Sequence, residues 1–281
     1  MKTRSTDLAL YILLVVMSVC MPLKAAEFQI RKSHFERIDA CFIIYDMKSQ
    51  QILAVYGEER CKQRYVACST FKMPLAVMAF DSGILKDENS LFRWDGIKRS
   101  NEAWNQDCTA ASWMKNSVVW YSQRITPLLG KARLQSYLKA FNYGNQDISA
   151  GLTGAWLTDG KVGSDAGKGR LKISAFEQLE FLKSFWTDRL PVSADAIEKT
   201  KRITFIETSP NGFTLHGKTG SGYLDDLKSD LGWFIGHIQG NAREYLVVTA
   251  ITRDEKGADA RYPGMAAREI TKAILLDNHI W

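Results

Sequence analysis

The chain has 281 residues, 46% of them hydrophobic and 24% charged, with a formal net charge of +6. This is an ordinary globular composition, long enough for one large domain or two lobes around a buried core. The basic residues are scattered rather than clustered, which argues against a nucleic-acid or membrane-surface partner.

Residues 1–26 read as an export signal. Lys2 and Arg4 give a basic start, Leu8 to Val19 is apolar apart from Ser18, and small residues follow at Ala25 and Ala26. The apolar run is shorter than the ~20 residues that span a bilayer, so cleavage and a periplasmic location are expected, with no stable membrane insertion afterwards. Val16-Met17-Ser18-Val19 before Cys20 makes a poor lipobox. Export places Cys41, Cys61, Cys68 and Cys108 in an oxidising compartment. Cys41 and Cys61 flank an apparent hairpin and are the favoured pair, whereas Cys68 reads as a small buried hydrophobe. With four histidines and no Cys/His cluster, no metal site is expected.

Residues 27–281 read as one domain. Strands are expected near 41–57, with Phe42 to Tyr45 and Ile52 to Tyr56 joined by a turn over Met47 to Gln50. Residues 69–190 are mainly helical, and Ser174 with Glu177 forms a capping box ahead of Leu179, Leu182 and Phe185. Asp159 to Gly169 reads as a flexible loop. Strands return near 203–251, with Phe213 to His216, Leu231 to Ile238 and Tyr245 to Ile251 as candidates. A helix over Met265 to Leu276 closes the chain. Strands, then helices, then strands, then a helix predict a mixed α/β fold of the α+β kind. An antiparallel sheet is flanked by helices, a mostly helical lobe stands beside it, and a cleft lies between.

Three short motifs bear chemistry. Ser69-Thr70-Phe71-Lys72 opens the helical region. A serine hydroxyl needs a base, and three residues along a helix return a side chain to the same face. The apolar company of Phe71, Met73, Leu75 and Val77 suggests that Lys72 is buried. The Ser69 amide at a helix N-terminus would favour developing negative charge. Ser117-Val118-Val119 offers a second hydroxyl to relay a proton to a leaving nitrogen. Lys218-Thr219-Gly220 follows the strand ending at His216. On an edge strand its lysine and threonine would hold a substrate carboxylate, and Gly220 would admit the ligand close to the backbone. Each motif alone has a bland reading: an N-cap serine, a buried hydroxyl, an exposed strand end. Their order is far more specific, and it matches the serine β-lactamase and penicillin-binding set except that Val119 stands where Asn is usual.

With that departure the chain closely resembles the class D β-lactamases, the oxacillinases. The resemblance also rests on Phe92-Arg93-Trp94-Asp95-Gly96, Tyr143-Gly144-Asn145 and Ala155-Trp156-Leu157, and it runs from the Phe42 hairpin to the last helix. It implies the penicillin-binding/serine β-lactamase fold and hydrolysis of the β-lactam amide through a Ser69 acyl-enzyme. It further implies that Lys72 is N-carboxylated by CO2 or bicarbonate and acts as general base in both half-reactions, with no bound cofactor. Burial fits this, because only a neutral amine attacks CO2. By the same resemblance Ser117 shuttles a proton, Val119 is an apolar wall and Trp156 donates its N–H to the carbamate. The Ser69 and Ser221 amides form the oxyanion hole. Arg268 joins Lys218, Thr219 and Gly220 at the carboxylate, with Arg261 as its competitor. Tyr143-Gly144-Asn145 is read as a structural turn. The rival functions are a penicillin-binding transpeptidase and a β-lactam sensor or binding domain that keeps its adduct.

Overall fold

The computed structural model describes residues 28–158, 168–224, 227–254 and 262–281. The expected leader, the 159–167 part of the glycine-rich loop and Arg261 lie outside them.

The chain begins with the hairpin β1 (Asp39–Asp46) and β2 (Gln51–Tyr56), then a short helix α1 (Glu58–Lys62) and a two-residue strand β3 (Tyr65–Val66). A 3-10 turn over Cys68–Phe71 runs into α2 (Lys72–Asp81). The middle holds β4 (Leu91–Phe92), β5 (Cys108–Thr109), α3 (Ala110–Asn116), α4 (Val119–Ala140), β6 (Lys172–Ile173), α5 (Ala175–Trp186) and α6 (Ala194–Ile203). Four strands follow or close the sheet, β7 (Phe205–Thr208), β8 (Thr214–Leu224), β9 (Ser229–Gly240) and β10 (Arg243–Asp254), before α7 (Pro263–Asp277).

Six strands form one antiparallel sheet in the order β2-β1-β10-β9-β8-β7, so the early hairpin and the late strands do join. The middle of the chain is less uniformly helical than its pattern suggests. Two small ribbons, β3 with β6 and β4 with β5, interrupt it.

The sheet divides the core by strand alternation. Phe42, Ile44, Leu215, Phe234 and Val247 face α7, whose Ala267 and Ile274 complete that cluster. Cys41, Ile43, Trp233, Ile235 and Val248 face the other way, onto Phe71, Leu75, Leu182 and Phe185. Two covered faces explain why β1 is a continuous apolar run rather than an alternating one. The Ser174–Glu177 capping box is present at the start of α5. A disulfide joins Cys41 on β1 to Cys61 on α1.

Lys218-Thr219-Gly220 does not follow a strand ending at His216 but lies inside β8, which runs to Leu224. Glycines at 217, 220 and 222 hide that length from a propensity reading. β7 pairs β8 only from Thr214 to His216, and the Gly217 amide is taken by the Thr204 carbonyl. From Lys218 onward β8 therefore presents a free edge, where the second lobe comes closest.

Candidate active site

The site begins at the 3-10 turn before α2. Cys68 has a left-handed φ of 49°, a costly conformation for a residue with a side chain. Around it the turn is tied down. The Ala67 amide donates to the Leu171 carbonyl, the Thr70 hydroxyl to the Ala67 carbonyl, and the Gln178 amide to the Thr70 hydroxyl at 2.8 Å. This bracing turns Ser69 toward the cleft, half-buried, while Cys68, Thr70 and Phe71 point into the core.

α2 is buried from Lys72 through Phe80, so it reads as an apolar central helix whose first residue is a lysine. The Lys72 ammonium nitrogen is fully buried and lies 3.0 Å from the Ser69 hydroxyl oxygen. Burial, reinforced by the positive charge of Lys218, holds the Lys72 pKa well below its ordinary 10.5. Among the described residues no carboxylate forms an ion pair with it. A neutral amine in hydrogen-bond reach of a serine hydroxyl is a competent proton acceptor.

β8 passes close over this turn. A methyl group on Gly220 would sit 3.2 Å from the Cys68 Cβ and 3.3 Å from the Thr70 methyl, and one on Gly222 only 2.8 Å from the Cys68 sulfur. The two glycines thus set the approach of the strand to the turn that carries Ser69. Between them Ser221 is exposed, and its hydroxyl accepts from the Gly264 amide at 3.0 Å, pinning the strand to the start of α7. Lys218 is buried, and its nitrogen donates to the Thr219 carbonyl at 2.9 Å. Burial and the neighbouring Arg268 charge bring its pKa down to about 7. Arg268, half-buried on α7, pairs with Glu269 at 3.0 Å. Lys218, Thr219 and Arg268 line one cavity of about 510 Å³ together with Met114, Lys115 and Asn116.

Ser117 follows that wall directly. It caps the C-terminus of α3 with a left-handed φ of 55°, and Val118 behind it is buried. Among the described residues no hydrogen bond joins Ser117 to Ser69, Lys72 or Lys218. Val119 begins α4, half-buried. Trp156 packs its ring on Phe71 at 5.3 Å, and its indole nitrogen is buried with no hydrogen-bond partner. Tyr143 backs Phe71 at 5.9 Å, and Asn145 knits its turn to β6 through the Arg170 carbonyl and the Lys172 amide. At Gly144 a side chain would strike the Lys172 carbonyl oxygen at 2.1 Å. Asp95 of the Phe92–Gly96 stretch is held by Arg99 at 2.7 Å. Two features escaped the sequence reading. One is the strain at Cys68. The other is Arg170, whose guanidinium donates to the Gly154 and Leu157 carbonyls and so fixes the loop bearing Trp156. Neither has a signature in residue type.

A serine and a buried lysine facing a basic strand edge on this fold define an acyl-transfer enzyme of the penicillin-recognising kind. Residues 40–276 match the penicillin-binding protein transpeptidase domain family. The chain is 37% identical to β-lactamase OXA-1 of Escherichia coli over 78% of each chain. It is 32% identical to β-lactamase OXA-48 of Klebsiella pneumoniae over 96% of each. The crystal structure of a class D β-lactamase from Bacillus subtilis superposes with a TM-score of 0.78 at 32% identity, covering 90% of this chain and 96% of that one. The chain belongs to the class D serine β-lactamases and is a β-lactam hydrolase.

Among the described residues no group of three or more His, Cys, Asp or Glu could hold a metal ion, and no helix is long and apolar enough to cross a membrane.

Proposed function

We propose that this enzyme opens β-lactams through a Ser69 acyl-enzyme and a CO2-modified Lys72, and so confers β-lactam resistance. The observation that carries the reading is a lysine with no carboxylate partner among the described residues, buried 3.0 Å from the Ser69 oxygen, with Phe71 next to it in sequence packed on a tryptophan whose buried indole N–H is unpartnered. A buried donor without an acceptor costs about 1–3 kcal/mol. A small anion on Lys72 would relieve that cost, so the residues present fit a carbamate. The Trp156 N–H would hold it, and Phe71 and Val119 would keep water away. Carbon dioxide added to the Lys72 nitrogen supplies a general base for acylation and deacylation.

The remaining steps fall to the chain's own groups. Lys218, Thr219 and Arg268 bind the substrate carboxylate, with Gly220 admitting the ring close to β8. The Ser69 oxygen attacks the lactam carbonyl carbon as its proton leaves toward Lys72. The Ser69 and Ser221 amides take the developing oxyanion. The C–N bond then breaks, and the Ser117 hydroxyl passes a proton to the departing nitrogen. Attack by water on the ester frees Ser69 and the opened product. We further propose that residues 1–26 direct export to the periplasm, a compartment suited to the Cys41–Cys61 disulfide.

Hydrolysis of a chromogenic β-lactam, with and without added bicarbonate, tests this reading. Steady turnover that rises with bicarbonate is expected. A single stoichiometric burst would assign the chain to transpeptidases or sensors instead. Lys72→Ala is expected to abolish turnover, and near wild-type rates in that variant would refute the mechanism.

A further inference from the structure

The cavity beside Lys218 is far larger than a substrate carboxylate needs. Two oxygen atoms displace the space of about two waters, ~60 Å³, whereas the cavity holds about 510 Å³. Its far wall belongs to no motif. Phe205, the first residue of β7, is half exposed there and offers an aromatic face to the cavity. Met114 and Met265 add deformable apolar surface, and Lys115 stands exposed at the rim. The charged residues along the lining, Lys115, Lys218 and Arg268, are all basic.

We infer that this cavity is a second substrate subsite, one that takes a flat apolar substituent ending in a negative charge and disfavours a cationic one. The inference rests on the reading of Lys218, Thr219 and Arg268 as the carboxylate-binding group. In a cephalosporin the C-3 substituent is attached to the ring carbon next to the one bearing the carboxylate. Fixing the carboxylate at Lys218 and Arg268 therefore directs that substituent into the rest of the same cavity. There it meets the Phe205 ring and Met265, and a group extended from it reaches Lys115. Phe205 is held edge-on to His216 at 5.5 Å, so its ring is a positioned platform. Substrates lacking a C-3 group gain nothing from this wall.

The test is a cephalosporin series with one C-7 side chain and, at C-3, hydrogen, styryl, carboxystyryl or trimethylammoniostyryl, none of which can leave. Wild-type kcat/KM is expected to rise from hydrogen to styryl to carboxystyryl and to be lower for the cationic member than for styryl. Phe205→Ala is expected to lower kcat/KM for styryl by about tenfold while changing the hydrogen compound by less than about twofold. Lys115→Glu is expected to shift the carboxystyryl-to-ammonium ratio by about tenfold toward the cation, reversing a modest exposed charge preference. Turnover of benzylpenicillin with a series flat in wild type and both variants overturns this inference alone. Absence of turnover for benzylpenicillin and every cephalosporin overturns the hydrolase reading and the inference with it.

Discussion

Replacing Trp156 by phenylalanine removes one N–H and part of a ring from the aromatic packing around Phe71. The indole nitrogen is buried and unpartnered, and the ring rests on Phe71 at 5.3 Å. In the CO2-free enzyme that orphan donor costs about 1–3 kcal/mol. Losing part of the ring volume costs about 1–2 kcal/mol, less than full truncation to alanine. The two contributions oppose, so W156F without bicarbonate is expected to melt close to the wild type. Carboxylation of Lys72, as proposed, would change the balance, because the same N–H would then make a hydrogen bond to an anion worth about 1.5–3 kcal/mol. W156F should therefore need about 10- to 150-fold more bicarbonate for half-maximal turnover. Carbon-13 NMR with labelled bicarbonate should show the carbamate signal lost at concentrations that saturate the wild type. Bicarbonate should raise the wild-type melting temperature by mass action and raise that of W156F less. Equal half-saturation in the two proteins would refute the assignment of Trp156 as the carbamate's donor.

On the proposed reading Arg268→Ala removes a charge from the residues that bind the substrate carboxylate, and kcat/KM for benzylpenicillin should fall about 10- to 100-fold. A substrate analogue lacking the carboxylate should be indifferent to the change, and equal losses for both would point to a structural role. Converting Cys41 and Cys61 to serine together opens a loop spanning 20 residues of separation, and denaturant titration should record about 3 kcal/mol less stability. An unchanged midpoint would mean that the loop is equally restricted without the bond. His237 stacks on Trp186 at 3.7 Å with its ring nitrogen 2.7 Å from Glu244, and burial lowers the pKa of both His237 and His216 beneath 6.5. Below 6.5 the unfolded chain therefore binds more protons than the folded one. Stability is complete above that value and is lost as pH falls toward the folded-state pKa values. Melting temperatures between pH 7.5 and 5.5 (about one unit to either side of the histidine value) should fall, and fall less in His237→Phe. A steeper fall in the variant would contradict the assignment to His237.

Much of the architecture was legible because it rests on periodicity. Phe42 to Tyr45 and Ile52 to Tyr56 read as strands, and Ser174 with Glu177 marks the start of α5 where the structure has it. Ser69 and Lys72 could be paired because a spacing of three means adjacency in any right-handed helix, the 3-10 turn included. What stayed hidden depends on three-dimensional context. β8 was cut short because its glycines, chosen for closeness to Cys68 and Thr70, look like a loop. β7 is short, and half its residues are exposed, so it carries no clear alternation. The strain at Cys68 and the grip of Arg170 on the Trp156 loop arise from where the backbone goes, which residue type does not encode.

The electrostatics of the cleft tie these parts together. Lys72 and Lys218 are both buried, Arg268 stands beside them, and the lone carboxylate that pairs with any of the three among the described residues is Glu269, on Arg268. Proteins seldom bury cations without partners, because desolvation then costs several kcal/mol per charge. Burial meets that cost by driving both lysines toward the neutral amine. That solution suits a site awaiting anions. On the proposed reading a neutral Lys72 would take up CO2 and become negative itself, turning its neighbour Lys218 from a repelling charge into a supporting one. On that reading the substrate carboxylate would then meet a protonated Lys218 beside Arg268. The two positions would then be coupled: an anion on Lys72 would raise the proton affinity of Lys218, and a protonated Lys218 would favour the carbamate. Bicarbonate should consequently tighten the binding of a non-hydrolysed carboxylate ligand, and that ligand should lower the bicarbonate requirement by the same factor. Titrating each in the presence and absence of the other measures the factor directly, and a value of one would show that the two anion positions are independent.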